Sequence, residues 1–362
     1  NWYKLNDVRA GITLKEKRSI ADVLVDPETN IRYFDILTGK TDREEEALLV
    51  RANNRTYRSR GIQTRAEYRF NLNEFFFDLE FGLRYHADEE DRFQWDDSYS
   101  MKNKKMVLFM EGIHGTNANR VTSANALAGY LLAKLRYDAW TVTAGLRYED
   151  VDLLKKDYTK EDLARSGKVR IETPNHARVL IPGVGLHYQL MPAASVFFGI
   201  HKGFAPPSAE LYQKPESSVN MELGTRVAIG NFRAELIGFY NNYSNMLGSD
   251  LAASGGAGTL EQFNVGEARV KGAEFLVQYQ PLPKNCNVRL PLQVSYTYTD
   301  TEIRNSFESH SWGNVVRGDE IPYIFKHALN MQLGIECKWF YANIGTRYNS
   351  DMRTSPGQGT IA

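Results

Sequence analysis

The sequence predicts an all-β fold, a transmembrane antiparallel β-barrel, and three observations carry that expectation. Apolar and polar residues alternate with period two in run after run, as in strands with one greasy and one wet face. Short turns alternate with long polar connections, the layout of an outer-membrane barrel with turns at one end and loops at the other. No apolar stretch approaches the roughly 20 residues of a membrane-crossing helix; the longest, residues 126–133, stops at Lys134.

The pattern is clearest over residues 218–280. Met221, Leu223, Thr225, Val227 and Ile229 fall on one face, and Asn220, Glu222, Gly224, Arg226 and Ala228 on the other. Gly230-Asn231 is a tight hairpin connection to the next strand, whereas residues 248–261 form a long Gly- and Ala-rich loop.

From the start, residues 1–12 read as a strand and residues 13–55 as a long polar connection. Ile62, Thr64, Ala66, Tyr68 and Phe70 then oppose Gln63, Arg65, Glu67 and Arg69, with a turn at residues 71–73. Phe75, Phe77, Leu79, Phe81, Leu83 and Tyr85 make an apolar stripe suited to lipid. A polar connection over residues 87–120 contains a strand piece at 106–110. Strands 125–137 and 139–149 meet at Asp138, and residues 150–175 connect onward.

Strands 177–190 and 195–203 meet at Met191-Pro192-Ala193, followed by a Pro-containing loop over 204–217. Beyond residue 280, strand 288–299, loop 300–322 and a strand through Leu329, Met331, Leu333 and Ile335 lead to a turn at Cys337-Lys338 and a last strand, 339–349. The total is roughly thirteen strands, with Tyr85, Tyr137, Tyr148, Tyr188, Tyr298 and Tyr348 near their ends as an interfacial girdle requires. A soluble propeller would show a repeat of roughly 40 to 50 residues, and none is present.

Composition narrows the function classes. Lys and Arg number 44 and Asp and Glu 44, so no basic excess marks a nucleic-acid binder. The negative mean hydropathy fits a barrel whose lumen and loops are polar as well as it fits a soluble protein. No Gly-x-Ser-x-Gly elbow, Walker loop, His-Glu-x-x-His or clustered Cys/His metal spacing points to an enzyme. The opening residues lack the basic start and apolar run of a signal peptide, so the chain reads as a fragment or processed form. The face opposite the apolar stripes carries charges of both signs, among them Arg65, Glu67, Arg69, Glu80, Arg147, Arg226 and Glu235, as a watery or plugged lumen permits.

Four runs resemble the barrel of TonB-dependent outer-membrane receptors: residues 201–207 (His-Lys-Gly-Phe-Ala-Pro-Pro), 220–226 (Asn-Met-Glu-Leu-Gly-Thr-Arg), 239–246 (Phe-Tyr-Asn-Asn-Tyr-Ser-Asn-Met) and 264–274 (Asn-Val-Gly-Glu-Ala-Arg-Val-Lys-Gly-Ala-Glu). Residues 144–149 and 318–323 extend the resemblance over nearly the whole chain, which within the family is most similar to siderophore receptors of the ferric citrate type. The resemblance implies a 22-stranded barrel with an N-terminal plug in its lumen. Residues 1–362 would be part of that barrel, the plug and last strands lying outside the chain. It implies import of a ferric chelate, energised by the TonB-ExbB-ExbD complex through the plug. Iron is then cargo rather than cofactor, and the setting is outer-membrane lipid and lipopolysaccharide. Haem, corrinoid or oligosaccharide uptake, or passive diffusion through a porin, are the rival functions.

An anionic chelate needs guanidinium groups that grip carboxylates at two points. Arg55, Arg58, Arg60, Arg120 and Arg317 lie near the expected extracellular strand ends, each with a solvated loop charge as the competing reading. His201, with His86, His114 and His310, is a candidate iron or haem ligand. Phe204-Ala205-Pro206-Pro207 ahead of Glu210-Leu211-Tyr212 lacks the Arg of the similar box in haem-uptake relatives. Tyr243 and Trp312 could stack on an aromatic ligand or anchor at the interface. Pairing Val294 opposite Leu329 would put Cys286 opposite Cys337 and allow a disulfide in an oxidising periplasm.

Overall fold

The computed structural model describes residues 2–14, 20–168, 170–249, 262–282, 287–309 and 312–359. Strand β1 (Trp2–Leu14) is followed by two short helices, α1 (Ile20–Val25) and α2 (Ile31–Leu37), then by β2 (Arg43–Leu72), β3 (Phe75–Lys102) and β4 (Lys105–Met110). The middle of the chain supplies β5 (Ala118–Tyr137), β6 (Trp140–Asp157), β7 (Ile171–Met191), β8 (Ala194–Ala205), β9 (Glu216–Ile229), β10 (Phe232–Ser249) and β11 (Gln262–Tyr279). The last third adds β12 (Val288–Arg289), β13 (Leu292–Ile303), β14 (Phe307–Ser309), β15 (Gly313–Val315), β16 (His327–Cys337) and β17 (Tyr341–Asn349).

Fifteen strands join in one antiparallel sheet whose neighbours follow the chain, β1-β2-β3-β5-β6-β7-β8-β9-β10-β11-β13-β16-β17. Strand β4 hangs on β3 and β12 on β16, and β14–β15 is a separate hairpin. Tight turns close one end of the sheet. Asn73, Asp138 and Gly230 sit there with φ of 53°, 48° and 59°, the left-handed backbone that returns a strand without splaying it. The other end carries the long connections.

The outward stripes are as the alternation requires. Phe81, Leu83, Tyr85, Leu127, Leu131, Leu146, Tyr148, Leu180, Val184, Leu223 and Leu236 are exposed, an arrangement stable in hydrocarbon and costly in water. At the turn end Phe75 stacks on Tyr137 (4.5 Å between centroids) and Trp140 lies against Tyr188 (4.5 Å). From Phe75 to Tyr85 the strand covers about 33 Å at ~3.3 Å per residue, or about 25 Å once tilted, the height of a lipid-facing band.

On the opposite face charges pair across and along strands: Arg65 with Glu67 (2.5 Å), Arg69 with Glu67 (2.8 Å) and Asp78 (3.3 Å), Arg147 with Glu149 (2.6 Å), and Arg226 with Glu235 (2.5 Å).

The strands run further than the alternation indicates. The connections expected over residues 13–55, 87–120 and 150–175 are shortened by strand at their ends: β2 begins at Arg43, β3 continues to Lys102, β6 to Asp157, and β7 starts at Ile171. Beyond the band both faces are wet, so apolar alternation fades. Cross-strand ion pairs take its place, Arg51 with Asp96 (2.8 Å) and Arg58 with Glu89 (2.9 Å). Helices α1 and α2 pack Val23 and Ile36 onto Ala47, Leu48 and Met101, a small core at the loop end.

The β13–β16 register also differs from the expected one. Val294 pairs with Met331 and Tyr296 with Leu329, and β12 puts Val288 opposite Cys337. The expected pairing was displaced by two residues, which keeps every side chain on its face and so leaves no trace in the alternation. Cys286 lies outside the described residues.

Candidate functional site

Extending the β2–β3 hairpin register from Leu72↔Phe75 leads to Arg55↔Arg92, and the β3–β5 register adds Arg92↔Arg120. Three arginines therefore stand side by side across three strands, with Asp157 of β6 next in the row. Their parity is that of Arg65, Arg84 and Arg147, so the row lies on the lumen-facing side, above the apolar band. Like charges directly opposite on a sheet repel, and a row of this kind needs compensation.

Arg55 has it: its Nη1 donates to Glu90 Oε1 (3.2 Å) and to the Tyr57 hydroxyl (3.3 Å), which itself donates to Glu90 (3.3 Å). Arg92 does not have it to the same degree. Its residue surface is 5 % exposed, and its buried Nε has no hydrogen-bond partner. Burial, then the Arg120 and Arg55 charges, pull its guanidinium down to about 10, so it is still cationic at neutral pH. A buried, incompletely partnered guanidinium between two others has the donor geometry that carboxylate or phosphate oxygens accept from.

The remaining predicted residues separate into other places. Arg58 and Arg60 have the opposite parity to Arg55 and line a shallow recess of about 340 Å³ on the outward side with Glu89, Ser123 and Asn125. Arg317 lies beyond β15, its backbone held by Ser306 (2.9 Å) and Gln358 (3.2 Å), and six strands separate β5 from β13 in the sheet. The structure thus joins Arg55 and Arg120 and leaves Arg58, Arg60 and Arg317 outside their row. His201 and Tyr243 do come together, on the lumen-facing side of β8 to β10, in a recess of about 400 Å³ with Asn220, Glu222, Phe239 and Asn241. There His201 Nε2 meets Asn220 Nδ2 at 3.2 Å.

Trp312 is a correction. It is 8 % exposed, packed with Val265, Ile303 and Val315 and beside Phe307, so it anchors the β14–β15 hairpin rather than offering a stacking surface. His114 stacks on Trp95 (3.7 Å), His86 pairs with Asp88 (2.8 Å), and His310 is outside the described residues.

Two features escaped the sequence. Arg92 sat in what read as a loop; counting pairs onward from the turn at Asn73 would have found it. The connection 158–168 is strapped over the outward side of β3 and β5 by Arg165. That guanidinium grips Asp91 with two bonds (2.7 and 2.9 Å), donates to Asn119 Oδ1 (2.7 Å) and lies over the Phe93 ring (4.9 Å).

Among the described residues one group has metal-ligand chemistry, Asp150, Asp152 and His176. It faces outward, and its members are already engaged: His176 Nδ1 with Asp152 (2.6 Å) and Arg178 Nε with Asp150 (3.0 Å).

An antiparallel wall with an apolar outer band, a charged inner face and long connections at one end defines a β-barrel protein of the outer-membrane type. The chain belongs to the TonB dependent receptor-like β-barrel family, whose model matches residues 7–361. Among solved structures it is similar to the ferric citrate transporter FecA in its unliganded form, with 20% identity and TM-score 0.61 over 85% of this chain and 44% of that one. It is also similar to the siderophore receptor PiuA from Acinetobacter baumannii (15% identity, TM-score 0.62, 83% and 48% covered). The closed ferric-catecholate import receptor Fiu from K12 E. coli matches at 13% identity and TM-score 0.64, with 99% and 52% covered. At these identities the likeness is one of fold. The chain spans about half the length of each of these proteins.

Proposed function

We propose that this chain forms part of the wall of a bacterial outer-membrane receptor that imports an anionic ferric chelate of the ferric citrate type. In this reading the loop end faces the outside, lipid and lipopolysaccharide surround the apolar band, and a plug outside this chain couples to TonB-ExbB-ExbD. Iron travels as cargo. The observation that carries the reading is the lumen-facing row Arg55, Arg92 and Arg120, with Arg92 buried and its Nε unpartnered. Polycarboxylate oxygens are the groups a set of guanidiniums at this spacing would bind.

Titrating the whole protein in detergent with ferric dicitrate, haem and a catecholate siderophore, read by tryptophan quenching, tests it. Saturable quenching by ferric dicitrate, weakened about 10- to 100-fold in Arg92→Gln, is the expected result. A response to haem alone removes this cargo class, and an unchanged ferric dicitrate response in the variant removes the arginine row as its seat.

A further inference from the structure

Strand β4 is an edge that nothing in the described residues covers. It pairs with β3 on one side, from Lys102↔Lys105 to Ser98↔Met110. Strand β5 joins β3 only from Gln94↔Ala118 onward, so above that level the far side of β4 is open. Every β4 residue is exposed, and Met106, Val107, Leu108, Phe109 and Met110 form an uncharged apolar run. Proteins normally blunt such an edge with a charge, a proline or a bulge along its length; β4 has one irregularity, at Phe109 between the pairs Tyr99↔Leu108 and Ser98↔Met110, and no charge or proline after Lys105. Here the lysines are gathered at the hairpin turn instead: Lys102, Lys104 and Lys105 are exposed and form no ion pair with a described residue.

The edge is also held in place. Asn103 and Lys104 take the left-handed conformation of a tight hairpin turn (φ 49° and 62°), and the Asn103 N–H donates to Asp42 Oδ1 (2.9 Å). Met106 and Met101 face each other across the hairpin, continuing the side on which Met101 packs against the helices.

We propose that β4 docks an extended segment of a partner protein, added as a further strand, with apolar side chains along its length and acidic residues where it meets the Lys102–Lys105 turn. Main-chain hydrogen bonds would supply affinity, and the lysines would set direction and partner choice. The proposal rests on the extracellular placement of the loop end made above. Cleavage by a lysine-specific protease at this turn on intact cells tests that placement separately.

The docking test uses the whole protein in detergent and a fluorescent peptide of about ten residues, alternating Val and Thr with glutamates at one end. Saturable binding is expected by anisotropy. It should disappear when alternate peptide nitrogens are methylated, and weaken about tenfold or more when Lys102, Lys104 and Lys105 are changed to Glu. Equal binding of the methylated peptide, no saturable binding, β4 amides already protected from exchange in the free protein, or dimers formed through β4 would each overturn the proposal. The last two outcomes name the protein's own chain or a second copy as the occupant.

Discussion

Arg92 tests the arginine row at its least compensated member. Its pKa in the folded chain is lowered to about 10 from the ordinary arginine value, so the protonated form costs stability at every pH below about 10, and the cost is relieved as pH rises above that. Arg92→Gln should therefore raise the melting temperature of the ligand-free protein at pH 7, by the equivalent of about 1 kcal/mol, while weakening ferric dicitrate. In the parent protein, affinity should stay level from pH 7 to about 9 and fall as Arg92 loses its proton near 10. A variant that loses both stability and binding would make Arg92 a structural residue. Trp312 belongs to the other kind: Trp312→Ala removes a buried ring and should cost about 3 kcal/mol or more. Hydrogen exchange should speed up over residues 303–321, with ferric dicitrate affinity changed much less than in Arg92→Gln.

At the scale of elements, the loop end is held by a few polar clasps rather than by a large core. Arg165 joins the connection 158–168 to β3 through a two-bond ion pair and a ring contact, and charge-assisted bonds of this kind are worth about 1.5 to 3 kcal/mol each. Arg165→Ala should make that connection the first site of limited proteolysis, with the membrane-embedded strands unaffected. At the other end, Gly230 turns the β9–β10 hairpin at φ 59°, where a Cβ is disfavoured by about 1 kcal/mol or more. Gly230→Val should slow refolding into detergent, whereas Asp138→Gly, at φ 48°, should be neutral or slightly stabilising.

For the whole molecule, the side of each residue relative to lipid is the property to measure. Trp140 is exposed on the outward face at the turn end, while Trp312 is buried at the loop end. In single-tryptophan variants reconstituted with brominated lipid, Trp140 should be quenched and Trp312 should not; the reverse would invert the assignment of faces. The sequence by itself determined the strands of the apolar band, their facing, the tight turns at Asp138 and Gly230, and the resemblance to the receptor family, because hydrocarbon on one side imposes a strict period of two. It offered Arg55 and Arg120 on the same footing as Arg58, Arg60 and Arg317, with nothing to say which of the five are neighbours. It left open the strand extensions beyond the band, the two-residue choice in the β13–β16 register, and the presence of Arg92 between those two arginines. Water on both faces removes the alternation, and a shift of two residues preserves it, so only the pairing of the strands in three dimensions decides which side chains become neighbours.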